Sequence, residues 1–326
     1  MRKRIGLAVI VLCLIGLCGC EFKLEDLEKE IRDYFSAEEV ANKYDYSNDH
    51  YNNGEYYDPW YESNQTSAYE EKYPLGTAGE ACGKTVVVSI YADDRNSSWS
   101  DINESKIMRT KEYLGIATDW ISEQASYYGK ELSFLYDWEQ YQDLVYHTAF
   151  KYDMVHDDEE IDWYAWQEIE KRIDTQGLVE KYEADNIVYL LLFNTSRNND
   201  VAACSRCWYE GMEYPYEICF MYVNYGGEEE SPAAYAHEIM HTFGAPDLYM
   251  ADVDGYNYGI TQEYVDYMEK TESNDIMFTT YDSNWQNVYD RISNDMSEID
   301  AYYLGWIDYS AEVEKWGFEK SQHIAK

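Results

Sequence analysis

Residues 85–91 read Thr-Val-Val-Val-Ser-Ile-Tyr, a β-branched run that predicts a buried strand. From Ser105 to Tyr128, apolar side chains recur at Ile107, Leu114, Ala117, Ile121 and Ala125, with Gly129 as a stop. That spacing is one face of a helix. Leu132–Trp138 predicts a second strand, Trp163–Tyr182 a second helix, and Ile187–Phe193 a fully apolar central strand. Two apolar runs within residues 201–223 flank Glu210-Gly211-Met212-Glu213, the pattern of a hairpin. Its second arm, about Glu217–Val223, is expected as the edge strand. Strands alternating with helices in this order predict an α/β sheet.

The first 79 residues follow another pattern. Arg2, Lys3 and Arg4 precede an apolar run, Ile5–Leu17, too short to span a bilayer and suited to the core of a signal peptide. It ends in Leu17-Cys18-Gly19-Cys20, which resembles the bacterial lipobox. The resemblance implies that residues 1–19 are a lipoprotein signal peptide and that Cys20 carries a lipid anchor at the outer face of the cell membrane. Leu24, Leu27, Ile31 and Phe35 then stand at helical spacing. From Ser36 to Gly79 the chain is rich in Tyr, Asn, Asp, Glu and Ser with almost no aliphatic side chains. Residues 20–79 are therefore expected to be an acidic tether with one short helix, and residues 80–326 the folded domain.

Composition narrows the partners. The 326 residues carry 64 acidic and 25 basic side chains, for a net charge of −39. Without residues 1–19 the count is 22 basic against 64 acidic, a charge of −42. Such a chain excludes phosphate-backbone binding of nucleic acid and polybasic docking to anionic lipid. It disfavours acidic substrates and attracts basic ones through a field that salt screens. Four cysteines follow Cys20: Cys82, Cys204, Cys207 and Cys219. An even number in an exported chain predicts two disulfides, with Cys204 to Cys219 across the hairpin and Cys82 to Cys207 as one arrangement.

The chemistry concentrates after Gly226-Gly227. Ser231 and Pro232 suit the cap and first position of a helix. On that helix His237 and His241 are four apart, so both imidazoles share a face and can grip one metal ion, with Glu238 beside them. Gly244 can end the helix in a left-handed conformation, Pro246 prevents its resumption, and Asp247 can return to the same ion. Two His and one carboxylate leave a fourth position open, the pattern of catalytic zinc. Such zinc lowers the pKa of its water to about 7, and Glu238 would take the water's proton and pass it to a leaving amine. His50, His147, His156 and His323 lack ligand-like spacing and are read as surface residues. Asp252, Asp254, Gly255 and Asn257 suggest a Ca2+ loop, but the EF-hand spacing is incomplete and an acidic turn is the preferred reading.

His237-Glu238-x-x-His241-x-x-Gly244-x-x-Asp247, continuing Leu248-Tyr249, resembles the metzincin zinc peptidases that use Asp as third ligand, most closely the immune inhibitor A family. Asp275-Ile276-Met277 is similar to the turn whose methionine underlies the metal in that group. Ser297-Glu298-Ile299-Asp300 and Leu304-Gly305-Trp306 are similar to its closing segment. The resemblance covers about Cys82 to Ile307. It implies an α/β fold of the zincin-like α+β type: a mixed, mostly parallel sheet with an antiparallel edge strand, packed on the active-site helix, plus a mainly helical C-terminal subdomain. It also implies a peptide lying antiparallel along the edge strand. The 29 residues between Asp247 and Met277 exceed what a compact member needs, and no Tyr stands two residues after Met277. Tyr281 is the nearest candidate to stabilise an oxyanion, and Glu263 and Glu298 are alternative third ligands.

The function expected is a membrane-anchored, extracellular zinc endopeptidase acting on protein or peptide substrates. The alternatives are a non-catalytic surface lipoprotein of the same fold that binds a protein or glycan, and a zinc-capturing lipoprotein. Retention of the base Glu238 argues against the first, and the scarcity of histidines against the second.

Overall fold

The β-branched run becomes β1 (Gly83–Asp93), whose side chains divide between two apolar layers. Val87 and Tyr91 enter one core, while Val86, Val88, Ile90 and Ala92 enter the other. The central strand, Asn186–Phe193, is buried at every residue and divides in the same way. A parallel sheet covered on both faces has no solvent side, which is why both runs read as continuously apolar. These features come from a computed structural model that describes residues 72–99, 104–136, 140–156, 160–209, 212–252 and 257–323. The leader, Cys20, His50, the helix pattern of residues 21–35 and the tether up to residue 71 lie outside the described residues.

In chain order the remaining strands are β2 (Leu132–Leu135), β3 (Val145–Ala149), β4 (the central strand just given), β5 (Cys204–Arg206) and β6 (Ile218–Tyr222). The sheet runs β2-β1-β4-β6-β5, with β3 also on β1. All pairings are parallel except β5 with β6. A separate small hairpin joins β7 (Asn224–Tyr225) to β8 (Glu228–Glu229). The fold is thus mixed α/β, mostly parallel, as expected, and β3 is a strand the sequence pattern did not single out.

Helices α1 (Glu104–Tyr127) and α4 (Pro232–Thr242) pack on one face. The other face carries α2 (Ile161–Arg172) and α3 (Thr175–Tyr182). These two were expected as one helix. Ile173 is extended and buried instead, and Asp174 caps the second helix by accepting from the Gly177 N–H at 2.9 Å. The short helices α5 (Gln262–Thr271), α6 (Glu298–Tyr303) and α7 (Ala311–Trp316) close the side that holds α4. Among the described residues no helix is long and apolar enough to cross a membrane.

Three expectations are corrected by this topology. The edge strand is β5, because β6 has β4 on one side and β5 on the other and keeps no free edge. The four cysteines are free thiols. Cys204 pairs in register with Phe220 and Cys219 with Ser205, so adjacent positions send the two sulfurs to opposite faces and no Cys204–Cys219 bridge can form. The folded part also begins before residue 80. Thr77 and Ala78 are buried, and their N–H groups donate to Glu217 Oε2 at 2.7 and 3.0 Å. Gly76 has φ of 77°, and a Cβ there would overlap the Glu217 carboxylate, so only glycine fits.

Candidate metal centre

Ser231 occupies the cap position of α4, but its buried hydroxyl makes no capping bond, so the fixed φ of Pro232 is what starts the helix. Ala233, Ala234 and Ala236 let this short helix sit close against its neighbours, and it is buried almost all round. It ends as the sequence predicted: Gly244 adopts φ of 99°, its N–H donating to His241 O at 2.9 Å while Ala245 N–H donates to Met240 O at 3.2 Å. That left-handed turn reverses the chain and brings Asp247 back over the helix.

His237, His241 and Asp247 form the one group of potential metal-ligating side chains among the described residues. The two Nε2 atoms are 2.9 Å apart. Asp247 Oδ1 lies 3.3 Å from His237 Nε2 and 3.1 Å from His241 Nε2. His237 Nδ1 is 2.9 Å from the Ile276 carbonyl, and His241 Nδ1 is 2.7 Å from that of Ala245. A carbonyl can only accept, so Nδ1 carries the proton in both rings, and in neutral imidazole Nε2 then presents a lone pair. Two lone pairs and a buried carboxylate oxygen that has no hydrogen-bond donor of its own converge on one point. Ligands about 2.0–2.2 Å from a tetrahedral zinc ion stand roughly 3.3–3.5 Å apart. The donor set fits such an ion within a few tenths of an ångström, and neither Glu263 nor Glu298 belongs to it.

Electrostatics describe the same demand for a cation. Burial would lower the pKa of His241, yet the Asp247 carboxylate beside it raises it to about 9. Burial would raise Asp247, yet the two imidazoles hold it well below the usual carboxylate range. Burial also pushes Glu230 up to about 7, with the charge of Glu238 adding to the effect.

Longer contacts hold the candidate ligands in place. Asn257 is buried, and its amide grips the loop of Asp247 from both ends. Its Oδ1 accepts from the Asp247 N–H at 3.0 Å, and its Nδ2 donates to the Asp247 and Met250 carbonyls at 2.9 Å each. Asp252 Oδ2 accepts from Gly259 N–H at 2.8 Å. These two members of the suggested Ca2+ loop therefore serve the backbone, while Asp254 and Gly255 lie outside the described residues. Met277 is fully buried in the core to which α4 contributes. Its carbonyl accepts from the Leu248 N–H at 2.9 Å, next to Asp247.

Glu238 is 5% exposed and lies against the edge strand, where Ser205 Oγ is 2.7 Å from Glu238 Oε2 and 2.9 Å from its carbonyl. Cys219 Sγ also donates to that carbonyl at 3.4 Å. Nothing local in the sequence marks Ser205. Its place follows only once the register of β5 on β6 is known. Tyr249, within the recognised motif, stacks its half-exposed ring 6.3 Å from that of His237. Tyr281 sits in the loop after Met277, 6.5 Å from the Trp285 ring. Burial raises its pKa, as do the charges of Glu230, Tyr225 and Glu228 around it. His147 stacks on Tyr91 and His156 pairs with Asp153, both exposed as expected. His323 is not a plain surface residue, since its half-buried ring donates to the Phe243 carbonyl at 2.9 Å, just past the end of α4.

No family model matches this chain, and no curated protein matches it. Among solved structures, one described as "Structure of a chaperone-substrate complex" is similar at 14% identity with a TM-score of 0.25. The match spans 68% of this chain and about a third (34%) of the other. A likeness of that size says nothing about fold or chemistry here.

Proposed function

We propose that this chain is a zinc-dependent endopeptidase of the metzincin type, held at the outer face of a bacterial membrane by lipid at Cys20. The observation that carries the reading is the convergence of His237 Nε2, His241 Nε2 and Asp247 Oδ1, with Glu238 next in sequence on the same buried helix. Further support comes from the mostly parallel sheet under α4 and from the buried turn at Met277.

When bound there, zinc supplies Lewis acidity toward a water molecule and a substrate carbonyl. The chain's own residues do the rest. The Nδ1–H bonds of His237 and His241 fix the tautomer that leaves both Nε2 atoms as ligands. Glu238 accepts a proton from the attacking water and delivers it to the amine that leaves. An extended peptide has the free edge of β5 to pair with, one residue of which touches Glu238.

The test is zinc content and hydrolysis of casein by the full-length chain in detergent, for wild type and Glu238→Gln. One zinc per chain in both, with hydrolysis by wild type alone, is expected. Absence of zinc, or equal hydrolysis by the two, overturns the reading.

A further inference from the structure

The edge strand β5 has three residues, and two of them face away from α4. Cys204 packs against the core of α2 and α3. Arg206 lies 5.8 Å over the Phe220 ring and pairs with Asp162 at 2.8 Å. Strand alternation then sends the residue between them to the other face, and Ser205 meets Glu238 there. Its oxygen stands within hydrogen-bond reach of both the carboxylate and the backbone carbonyl of that one residue. A hydroxyl has a single proton to donate, and a bond to an ionised carboxylate is about twice as strong as one to a neutral acceptor.

We infer that Ser205 is the positioning residue for Glu238: it occupies Oε2 and fixes the carboxylate rotamer, so that Oε1 is the oxygen offered to the attacking water. The inference rests on the peptidase reading and deepens it. A glutamate side chain has three rotatable bonds, and α4 alone does not select among its rotamers. Ser205 selects one from the sheet, with no contact to the metal ligands. The same contact ties the base to the strand that a peptide would pair with, so chemistry and docking share one rigid edge. Cys219 provides the contrast: paired in register with Ser205 and in contact with its hydroxyl, its thiol donates to the Glu238 carbonyl and not to the carboxylate.

The experiment compares full-length wild type, Ser205→Ala, Ser205→Thr, Cys219→Ala, Glu238→Gln and the double variant Ser205→Ala/Glu238→Gln. Zinc per chain, thermal unfolding, kcat and KM on a fluorogenic peptide are read for each. Ser205→Ala is expected to lower kcat on the order of ten- to a hundredfold, with KM and zinc unchanged. Ser205→Thr, which keeps the hydroxyl, restores most of that loss, and Cys219→Ala retains the wild-type kcat. Whatever residual rate Glu238→Gln retains is not lowered further in the double variant, because a positioning residue has nothing left to position. Wild-type kcat in Ser205→Ala overturns the inference while leaving the peptidase reading intact, as does equal loss in Ser205→Ala and Cys219→Ala. Equal hydrolysis by wild type and Glu238→Gln, or none by either, overturns the peptidase reading and the role of Ser205 with it.

Discussion

His237 donates its Nδ1–H to the carbonyl oxygen of Ile276 at 2.9 Å, across 39 residues of sequence. Ile276 is fully buried and stands between two residues that are themselves tied down. Asp275 Oδ1 accepts from the Met277 N–H at 2.7 Å, and Met277 O accepts from Leu248 N–H at 2.9 Å. One turn therefore orients His237 and the loop that carries Asp247 together. Asp275 faces Asp300 in this core, and burial pushes both carboxyls up.

The ring orientation is directly measurable. In the zinc-loaded protein, long-range proton–nitrogen NMR is expected to place a proton on Nδ1 of both His237 and His241, leaving Nε2 to bind the metal. Ligation through either Nδ1 would contradict the hydrogen bonds to Ile276 and Ala245.

Asn257→Ala should act on the metal without touching it. The substitution removes all three bonds that hold Asp247 and Met250 from behind. A drop in zinc affinity of about 10- to 100-fold is expected, with about 2–3 kcal/mol of stability lost to the buried groups left unpaired. Competition with a chelator gives the first value and urea unfolding the second.

Glu217 makes stability depend on pH. Burial pushes its carboxyl up from 4.5 to about 8, even though Thr77 and Ala78 donate to it. A folded pKa above the unfolded one means that its contribution is complete below about pH 4.5 and is lost as pH climbs through about 8. The slope in that window is on the order of 1.4 kcal/mol per pH unit. Glu217→Gln keeps an acceptor for Thr77 and should flatten the slope in urea titrations between pH 5 and 8. Glu217→Ala should also make residues 72–79 susceptible to limited proteolysis.

The thiols provide a separate check. Denatured without reductant, Cys82, Cys204, Cys207 and Cys219 are all expected to react as free thiols. In the native chain burial pushes the pKa of Cys207 up to about 12 and that of Cys204 up to about 11, so both should react slowly with alkylating reagents. Masses of the alkylated chain that show two or no modified cysteines would restore the disulfide expectation.

Features that depend on neighbours along the chain were legible in the sequence. The spacing of His237 and His241 is helical geometry, the reversal at Gly244 needs only a residue without Cβ, and the apolar runs of β1 and β4 declare strands covered on both faces. From these the clustering of His237, His241 and Asp247 and the α/β class could be read. Features that depend on register and layer packing were not. Which arm of the hairpin forms the edge is decided by which of them pairs with β4, and which face each cysteine takes changes with a one-residue shift. The carbonyl of Ile276, the amide of Asn257, the carboxylate of Glu217 and the hydroxyl of Ser205 act across 39, 10, 140 and 33 residues. Such contacts exist only when the helices and the sheet have docked, because no local propensity encodes the partner of a buried polar group.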